Sequence, residues 1–306
     1  MRVFVTGATG WVGSAVVQNL IEAGHQVLGL ARSDAGAQAL AAAGADVRRG
    51  DLDDLDSLRG GAAACDGVIH TAFRHDFAQF QANAELDRRA IEAIGEGLAG
   101  SGRPFVTTSG TLMLAMVAPG RLGTEQDAPD AAVPRVPSEL ATLSLASRGV
   151  RSSVIRLPPS VHAEGDKGFM PRIIDIARET GVSAYIGDGR NRWPAVHRLD
   201  AARAFRLALE RGEGGSRYHA VGDEGIPVRE LAELIGRKLN LPTASIKPEE
   251  AAGHFGFLAM FLGLDAPASS ALTRQALDWI PAHRGLVADL EAGAYFDGGA
   301  SKYGGG

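Results

Sequence analysis

Apolar and polar residues alternate in blocks along the first half of the chain. A short apolar run over 1–5 gives way to three glycines spaced three apart, Gly7, Gly10 and Gly13. Val16, Val17, Leu20 and Ile21 then recur at the spacing of one helix face, and Gly24 supplies a stop. The block repeats, with a strand over 26–30, a helix over 35–43 closed by Gly44, a strand over 46–49 and a strand over 67–70. A long helix over 80–98 carries Leu86, Ala90, Ile91, Ile94 and Leu98 on one side, and a fifth strand follows over 104–108. After an irregular stretch over 112–137 come a helix over 138–147 and a sixth strand over 151–157. Strands separated by helices predict an α/β fold, a Rossmann doubly wound parallel sheet with helices on both faces.

Beyond Pro158 and Pro159 the alternation weakens. Helices are predicted over 170–179, 201–210 and 228–239, with short strands near 184–186 and 217–220. These elements predict a smaller C-terminal substrate lobe closing over the carboxyl ends of the strands, where doubly wound sheets bind ligands. The expected organisation is a cofactor-binding Rossmann domain over 1–157 with returning segments such as 196–220. A substrate lobe over approximately 158–195 and 221–297 and a flexible tail over 298–306 complete it.

The glycines change the picture from fold to chemistry. Gly7 suits the turn that leaves the strand, Gly10 lets backbone approach a pyrophosphate, and Gly13 lets the helix pack close to the sheet. The helix start offers unpaired N–H groups and a positive dipole end to an anion. Composition narrows the partners. A net charge of −5 without a basic cluster lacks the footprint of a nucleic-acid binder, so a small-molecule substrate is expected. Cys65 is the one cysteine, which excludes an internal disulfide framework and a thiolate zinc site, and no metal is expected. The strand-like N-terminal run does not read as a secretory signal, and the apolar stretch over 255–264 is short of the roughly twenty residues of a membrane span. A cytoplasmic protein with no membrane partner is expected.

Several segments together carry a resemblance. Thr6 to Gly13, Gly50-Asp51-Leu52, Val68 to Ala72, Val106 to Ser109, Arg156 to Ser160, and Ile186 to Gly189 through Val196 to Asp200 resemble extended short-chain dehydrogenases of the NAD-dependent epimerase/dehydratase type. The segment from Leu277 to Pro281 is similar to that family's C-terminal Gly-Trp-x-Pro. The resemblance implies cofactor contacts at Gly7, Thr9, Gly10, Trp11, Val12, Gly13 and Pro158. It places Asp51 and Leu52 beside the adenine, and Thr71, Ala72 and Phe73 under the ribose and pyrophosphate. Asp51 also reads as a cap of the helix that follows. NAD-preferring Rossmann proteins place an acidic residue at the end of the second strand, whereas this strand ends in Arg32 and Ser33. Arginine with a neighbouring hydroxyl suits a 2′-phosphate, so NADP is expected ahead of NAD.

The chain departs from the family where chemistry is done. The resemblance implies a Tyr-x-x-x-Lys pair and a hydroxyl residue, the tyrosine as acid or base and the lysine holding the nicotinamide ribose. No Tyr-x-x-x-Lys occurs; counting back from Glu139 places Ala132 and Val136 at those positions. Tyr185, Tyr218, Tyr295 and Tyr303 all lie far downstream, and Gly110 falls where the usual hydroxyl stands. Replacement proton donors are Ser109, Thr111, His75 and His162, the last in a loop that lies near the nicotinamide in similar proteins. His70 reads as a core residue and Asp200 as the N-cap of the helix from Ala201. Candidate substrate contacts are His75, Met113, Phe169, Arg192, Trp193 and His197. The helices over 80–98 and 138–147 resemble those of a family dimer interface, so a homodimer is expected.

The reading this supports is an NADP-dependent oxidoreductase acting on a small carbonyl, hydroxyl or imine compound with an atypical proton donor. The alternatives are a protein that senses NADP(H) without turning it over, and a non-redox isomerase or lyase on the same scaffold.

Overall fold

The computed structural model describes residues 1–297, so the expected tail over 298–306 and Tyr303 lie outside the described residues. Seven parallel strands form the central sheet. They are β1 (Arg2–Thr6), β2 (Gln26–Ala31), β3 (Asp46–Arg49), β4 (Gly67–His70), β5 (Pro104–Gly110), β6 (Arg151–Leu157) and β10 (Ser216–His219). Their order is β10-β6-β5-β4-β1-β2-β3, all parallel by register. The chain starts at β1, winds outward to β3, then returns past β1 to wind the other way from β4. The switch point lies between β1 and β4, and the crevice outside the carboxyl ends of these two strands is where such a sheet takes a dinucleotide.

Helices cover both faces. On one side α1 (Trp11–Glu22) packs against α8 (Arg198–Arg211), burying Val16, Val17, Leu20, Phe205 and Leu209 over Val3, Val5, Ile69 and Ile155. On the other, α3 (Leu55–Ala63) and α4 (Phe80–Leu98) bury Leu58, Leu86, Ile91, Ile94 and Leu98 over Phe4, Val68 and Phe105. A shorter α2 (Asp34–Ala42) follows β2. The 80–98 periodicity matches α4 residue for residue because its apolar stripe is a regular 3.6-residue one. The helix expected over 138–147 is instead α6 (Val136–Ser144) followed by a 3₁₀ turn over Leu145–Arg148. Pro137 in its first turn marks the earlier start. Before it the chain forms one short helix, α5 (Leu112–Ala115).

The second half contains more strand than its weak alternation predicts. Short strands β7 (Ser160–His162), β9 (Arg192–His197) and β11 (Asp223–Pro227) make a three-stranded sheet, and β8 (Ser183–Ile186) pairs with β12 (Thr243–Ile246). Strands this brief, with Arg192 and His197 at their ends, show too few alternating positions to register as period-2 segments. They enclose a separate apolar cluster with α7 (Phe169–Thr180) and α9 (Val228–Leu239), in which Trp193, Ile174, Ile235 and Leu258 are buried. The 255–264 run falls on α10 (Ala251–Phe255), a 3₁₀ turn and α11 (Ala259–Leu262), and two further helices, α12 (Ala271–Leu277) and α13 (Leu286–Glu291), follow. Among the described residues, no helix is long and apolar enough to cross a membrane.

Candidate functional site

The glycine turn is the tightest part of the fold. Gly7 has φ +65°, and a Cβ there would lie 2.5 Å from the Ala72 amide nitrogen at the end of β4. A Cβ on Gly13 would lie 2.0 Å from the Gly7 carbonyl oxygen. Neither neighbour is a side chain that can swing away, so the two glycines are required for β1, α1 and β4 to meet as they do. Gly10 differs: it caps α1 without a side-chain hydrogen bond, and its nearest neighbour for a Cβ is at 3.1 Å. Gly10 donates to the Gly7 carbonyl at 2.8 Å, and Thr71 donates from Oγ1 to the Thr6 carbonyl at 2.9 Å. The result is a shallow backbone cradle at a helix N-terminus, at the switch point of the sheet. Its residues fit a dinucleotide pyrophosphate, since side chains are absent where a phosphate must approach.

Around the cradle, Trp11 donates from Nε1 to the Val161 carbonyl at 2.7 Å, and the Arg198 guanidinium lies over its ring at 4.2 Å. Val12 is half-buried against the core, and Thr9 is exposed, its methyl beside Gly36 at the start of α2. At the end of β2, Arg32 is exposed, while Ser33 caps α2 by accepting from Gly36 N at 3.1 Å. The strand register sets Arg49 beside Ala31, and Arg49 donates to the Arg32 carbonyl at 3.2 Å and pairs with Asp34. Arg49 was not singled out by the sequence; only the β2–β3 pairing reveals that two cations share this corner. Asp51 does not cap the helix after it. Asp54 does, because the chain makes a turn first, and Asp51 accepts instead from Leu52 N and from Arg74, which also grips Asp53.

Past Ala72 the chain sends Phe73 toward β5 and Arg74 back toward Asp51. Phe73 meets His75 edge-on at 5.3 Å, and the Arg135 guanidinium sits 4.0 Å from its ring centre. Desolvation beside the Phe73 ring, then the positive charge of Arg135, lower the His75 pKa from its ordinary value.

At the end of β5 the hydroxyl candidates part. Ser109 donates to Glu139 Oε2 at 2.9 Å, inside a buried network in which Arg156 grips both Glu139 oxygens at 3.1 and 2.6 Å and Arg217 adds a contact at 2.7 Å. Thr111 is 2% exposed and its Oγ1 has no hydrogen-bond partner. Beside it, a Cβ on Gly110 would meet only the Leu157 carbonyl, at 3.8 Å. Met113 is buried in α5 and Pro158 is buried just after β6.

His162 is fully buried. Its Nδ1 lies 2.9 Å from Asp289 Oδ2, its Nε2 has no partner, and its ring meets that of His197 edge-on at 5.4 Å. His197 stacks on His283 at 4.5 Å, and burial with two neighbouring imidazoles lowers its pKa to about 4. His197, rather than Asp200, caps α8, accepting from Leu199 N at 3.3 Å. Asp200 lies within the first turn, buried, and has another task, accepting the backbone N–H groups of Ala282 and His283 at 2.9 and 3.0 Å. Ligand atoms of His197, Asp200 and His283 lie within 4.8 Å of one another. Both Asp200 oxygens, however, already accept amides, His283 Nδ1 lies 3.1 Å from Asp200 Oδ1, and the His197 Nδ1 lone pair faces Leu199 N, so these ligand atoms already have partners within the protein.

The substrate candidates divide likewise. Arg192 is held by Asp265 through Nε and Nη2, each at 2.9 Å, and reaches the Gly120 carbonyl, which ties β9 to two loops. Trp193 is fully buried and donates to Ser160 Oγ at 2.8 Å. Phe169 is half-buried and stacks on Phe261. Of the four tyrosines, Tyr295 donates to Asp166 Oδ2 at 3.0 Å in the loop before α7, and burial pushes the Asp166 carboxyl up to about 6.

Comparisons with known proteins agree with this fold. The family model described as the NAD dependent epimerase/dehydratase family matches residues 3–221. An uncharacterized protein of Schizosaccharomyces pombe is 54% identical over 297 residues, covering 97% of this chain and 100% of that one. The 4-hydroxy-2-methyl-3-oxo-4-farnesyl-3,4-dihydroquinoline-1-oxide ketoreductase of Stigmatella aurantiaca is 27% identical, covering 84% of this chain and 80% of that one. Among solved structures, the dTDP-glucose 4,6-dehydratase of Streptomyces venezuelae with NAD and TYD bound shares the fold at TM-score 0.76 and 19% identity, covering 96% of each chain.

Proposed function

The chain belongs to the NAD dependent epimerase/dehydratase family, and on that premise we propose that it is an NADP-dependent oxidoreductase acting on a small carbonyl, hydroxyl or imine compound. The observation that carries this reading is the pairing of the Gly7–Gly13 cradle with Arg32 and Arg49 at the ends of the next two strands. Two guanidinium groups at the corner reserved for the adenosine ribose suit a 2′-phosphate, which a neutral diol does not require. The elements over 1–157 with 196–220 would hold the dinucleotide, and those over 158–195 and 221–297 the substrate. When bound, the reduced nicotinamide supplies a hydride. Thr111 is the chain's best-placed group for the acceptor oxygen, since its buried hydroxyl lacks a partner at the end of β5, whereas that of Ser109 is engaged by Glu139. The ketoreductase relative supports a carbonyl substrate. A reduced Cys65, buried and unpaired, suits a cytoplasmic location. A homodimer would use the outer faces of α4 and α6, where Leu140 is exposed.

Two measurements test the reading. Purified protein is mixed with NADPH and a panel of ketones, aldehydes and imines, and loss of reduced-cofactor absorbance is followed, with deuterium transfer from labelled NADPH into product. Turnover with label transfer is expected; exchange of product isomers without label transfer points to the isomerase or lyase, and NADPH binding with no turnover points to a sensor. Separately, Arg32→Ala should weaken NADPH about tenfold or more and NADH far less. Equal loss of both would sink the 2′-phosphate assignment.

A further inference from the structure

Arg135 stands just before α6 and lies across the carboxyl ends of β4 and β5. One face of its guanidinium is packed on the Phe73 ring, and Nη2 donates to the Thr108 carbonyl at 3.1 Å and lies 3.6 Å from Asp87 Oδ2. Asp87 is fully buried, with its other oxygen 3.0 Å from His70 Nε2, and His70 Nδ1 lies 2.7 Å from Thr6 Oγ1. A chain of polar contacts thus runs from β1 through a buried histidine and carboxylate to this one cation, and Arg135 in turn holds the Asp87 carboxyl below its usual range despite burial. The contacts are incomplete. Arg135 Nε and Asp87 Oδ2 are buried without a hydrogen bond, and among the described residues Nη1 bonds to nothing while not being sealed from solvent. A guanidinium so firmly positioned, yet under-satisfied, is built to receive an acceptor.

Position says which acceptor. Ala72 lies directly against Gly7, and from there Arg74 turns to Asp51 and Asp53 on the adenine side. Phe73 turns the other way, to Arg135 and β5. Arg135 therefore flanks the crevice on the half of the switch point opposite the adenine, the half through which the rest of a dinucleotide must pass. We propose that Arg135 binds the nicotinamide-side ribose of the cofactor, Nη1 donating to its hydroxyl oxygens, with Phe73 and Asp87 as the residues that position the guanidinium.

The assignment rests on the dinucleotide reading above, and the probes separate the two. Kd is measured by calorimetry for NADPH and for 2′,5′-ADP, the adenosine half alone, with wild type, Arg135→Met and Arg135→Lys. NADPH binding should weaken ten- to a hundredfold in Arg135→Met while 2′,5′-ADP binding stays within about twofold. Arg135→Lys, which keeps the charge but not the planar fork, should fall between wild type and Arg135→Met. If Arg135→Met does not fold, a Lys variant that loses at least threefold for NADPH and nothing for 2′,5′-ADP gives the same answer. Unchanged NADPH binding, or equal loss of both probes, overturns the assignment. Wild type binding neither probe overturns the dinucleotide reading and this assignment with it.

Discussion

At the scale of single residues, three glycines that look equivalent in sequence do different jobs. Gly13 abuts the Gly7 carbonyl and Gly7 abuts the Ala72 amide, whereas a Cβ on Gly10 would meet one atom, the Gly7 carbonyl oxygen at 3.1 Å. Gly13→Ala must push backbone against backbone, and the cost should reach or exceed the ~3 kcal/mol at the upper end of overpacking. Gly10→Ala should cost far less than Gly13→Ala, since its backbone is extended and one contact at 3.1 Å has to give by a few tenths of an ångström. It should nevertheless weaken NADPH binding by placing a methyl where the pyrophosphate approaches. Thermal melts of both variants with and without NADPH check this: a large loss of Tm for Gly13→Ala alone, and a lost NADPH-induced gain in Tm for Gly10→Ala. Equal melting of the two variants would contradict the division of roles.

At the scale of elements, Asp200 shows how one side chain fastens a distant segment. Its oxygens accept from Ala282 N and His283 N, its own carbonyl accepts from Trp279 Nε1, and Trp279 is fully buried in the core under α8. Asp200→Asn replaces one charged acceptor by an amide that must face an N–H donor, and should cost about 1–3 kcal/mol. Hydrogen exchange should rise at 279–283 before it rises in the central sheet; uniform loosening would argue against a local clamp. The same element explains what the sequence could and could not reveal. Long helices such as α4, and the strands of the central sheet, were legible because many positions repeat one period. The cap of α8 was not, because His197 and Asp200 both suit an N-terminus and only the path of the 279–283 segment decides between them. Arg135 was hidden for a related reason: it lies one residue before Val136, where the resemblance placed a lysine, and its importance depends on Phe73 and Asp87 arriving from other elements. Ser109 looked as available as Thr111 until Glu139 was seen to accept its hydroxyl.

At the scale of the whole molecule, the Glu139 network joins β5, β6, β10 and α6 to the segment that leads into α12, and its titration should be read in global stability. Arg156 donates from Nη1 toward His219 Nε2 at 3.2 Å, while His219 Nδ1 donates to the Ser269 carbonyl at 2.8 Å, so the imidazole must be neutral to fit. Burial, then the Arg156 charge, depress its pKa to about 4. An unfolded histidine titrates near 6.5, so the unfolded chain binds this proton first. The stability His219 contributes is complete above pH 6.5 and is lost as pH falls through its folded value of about 4. His197, also near 4, acts in the same direction, while Asp166, raised to about 6, opposes them over part of the window. His75 and His254, both also lowered, add to His219 and His197, so the histidines outweigh the one carboxyl and leave a net loss of stability as pH falls from 6.5 to 4. Below that, Glu139, whose pKa is lowered by its hydrogen bonds to Arg156 despite its burial, adds a further loss as it is protonated. Urea unfolding followed from pH 7 to 4 should show a falling midpoint, with a shallower fall in His219→Gln. Glu139→Gln should be destabilised by about 3 kcal/mol even at pH 7, because Arg156 is left buried without its counter-charge. A wild-type midpoint that is flat or rises toward pH 4 would mean that the network tolerates protonation and does not hold these elements together through charge.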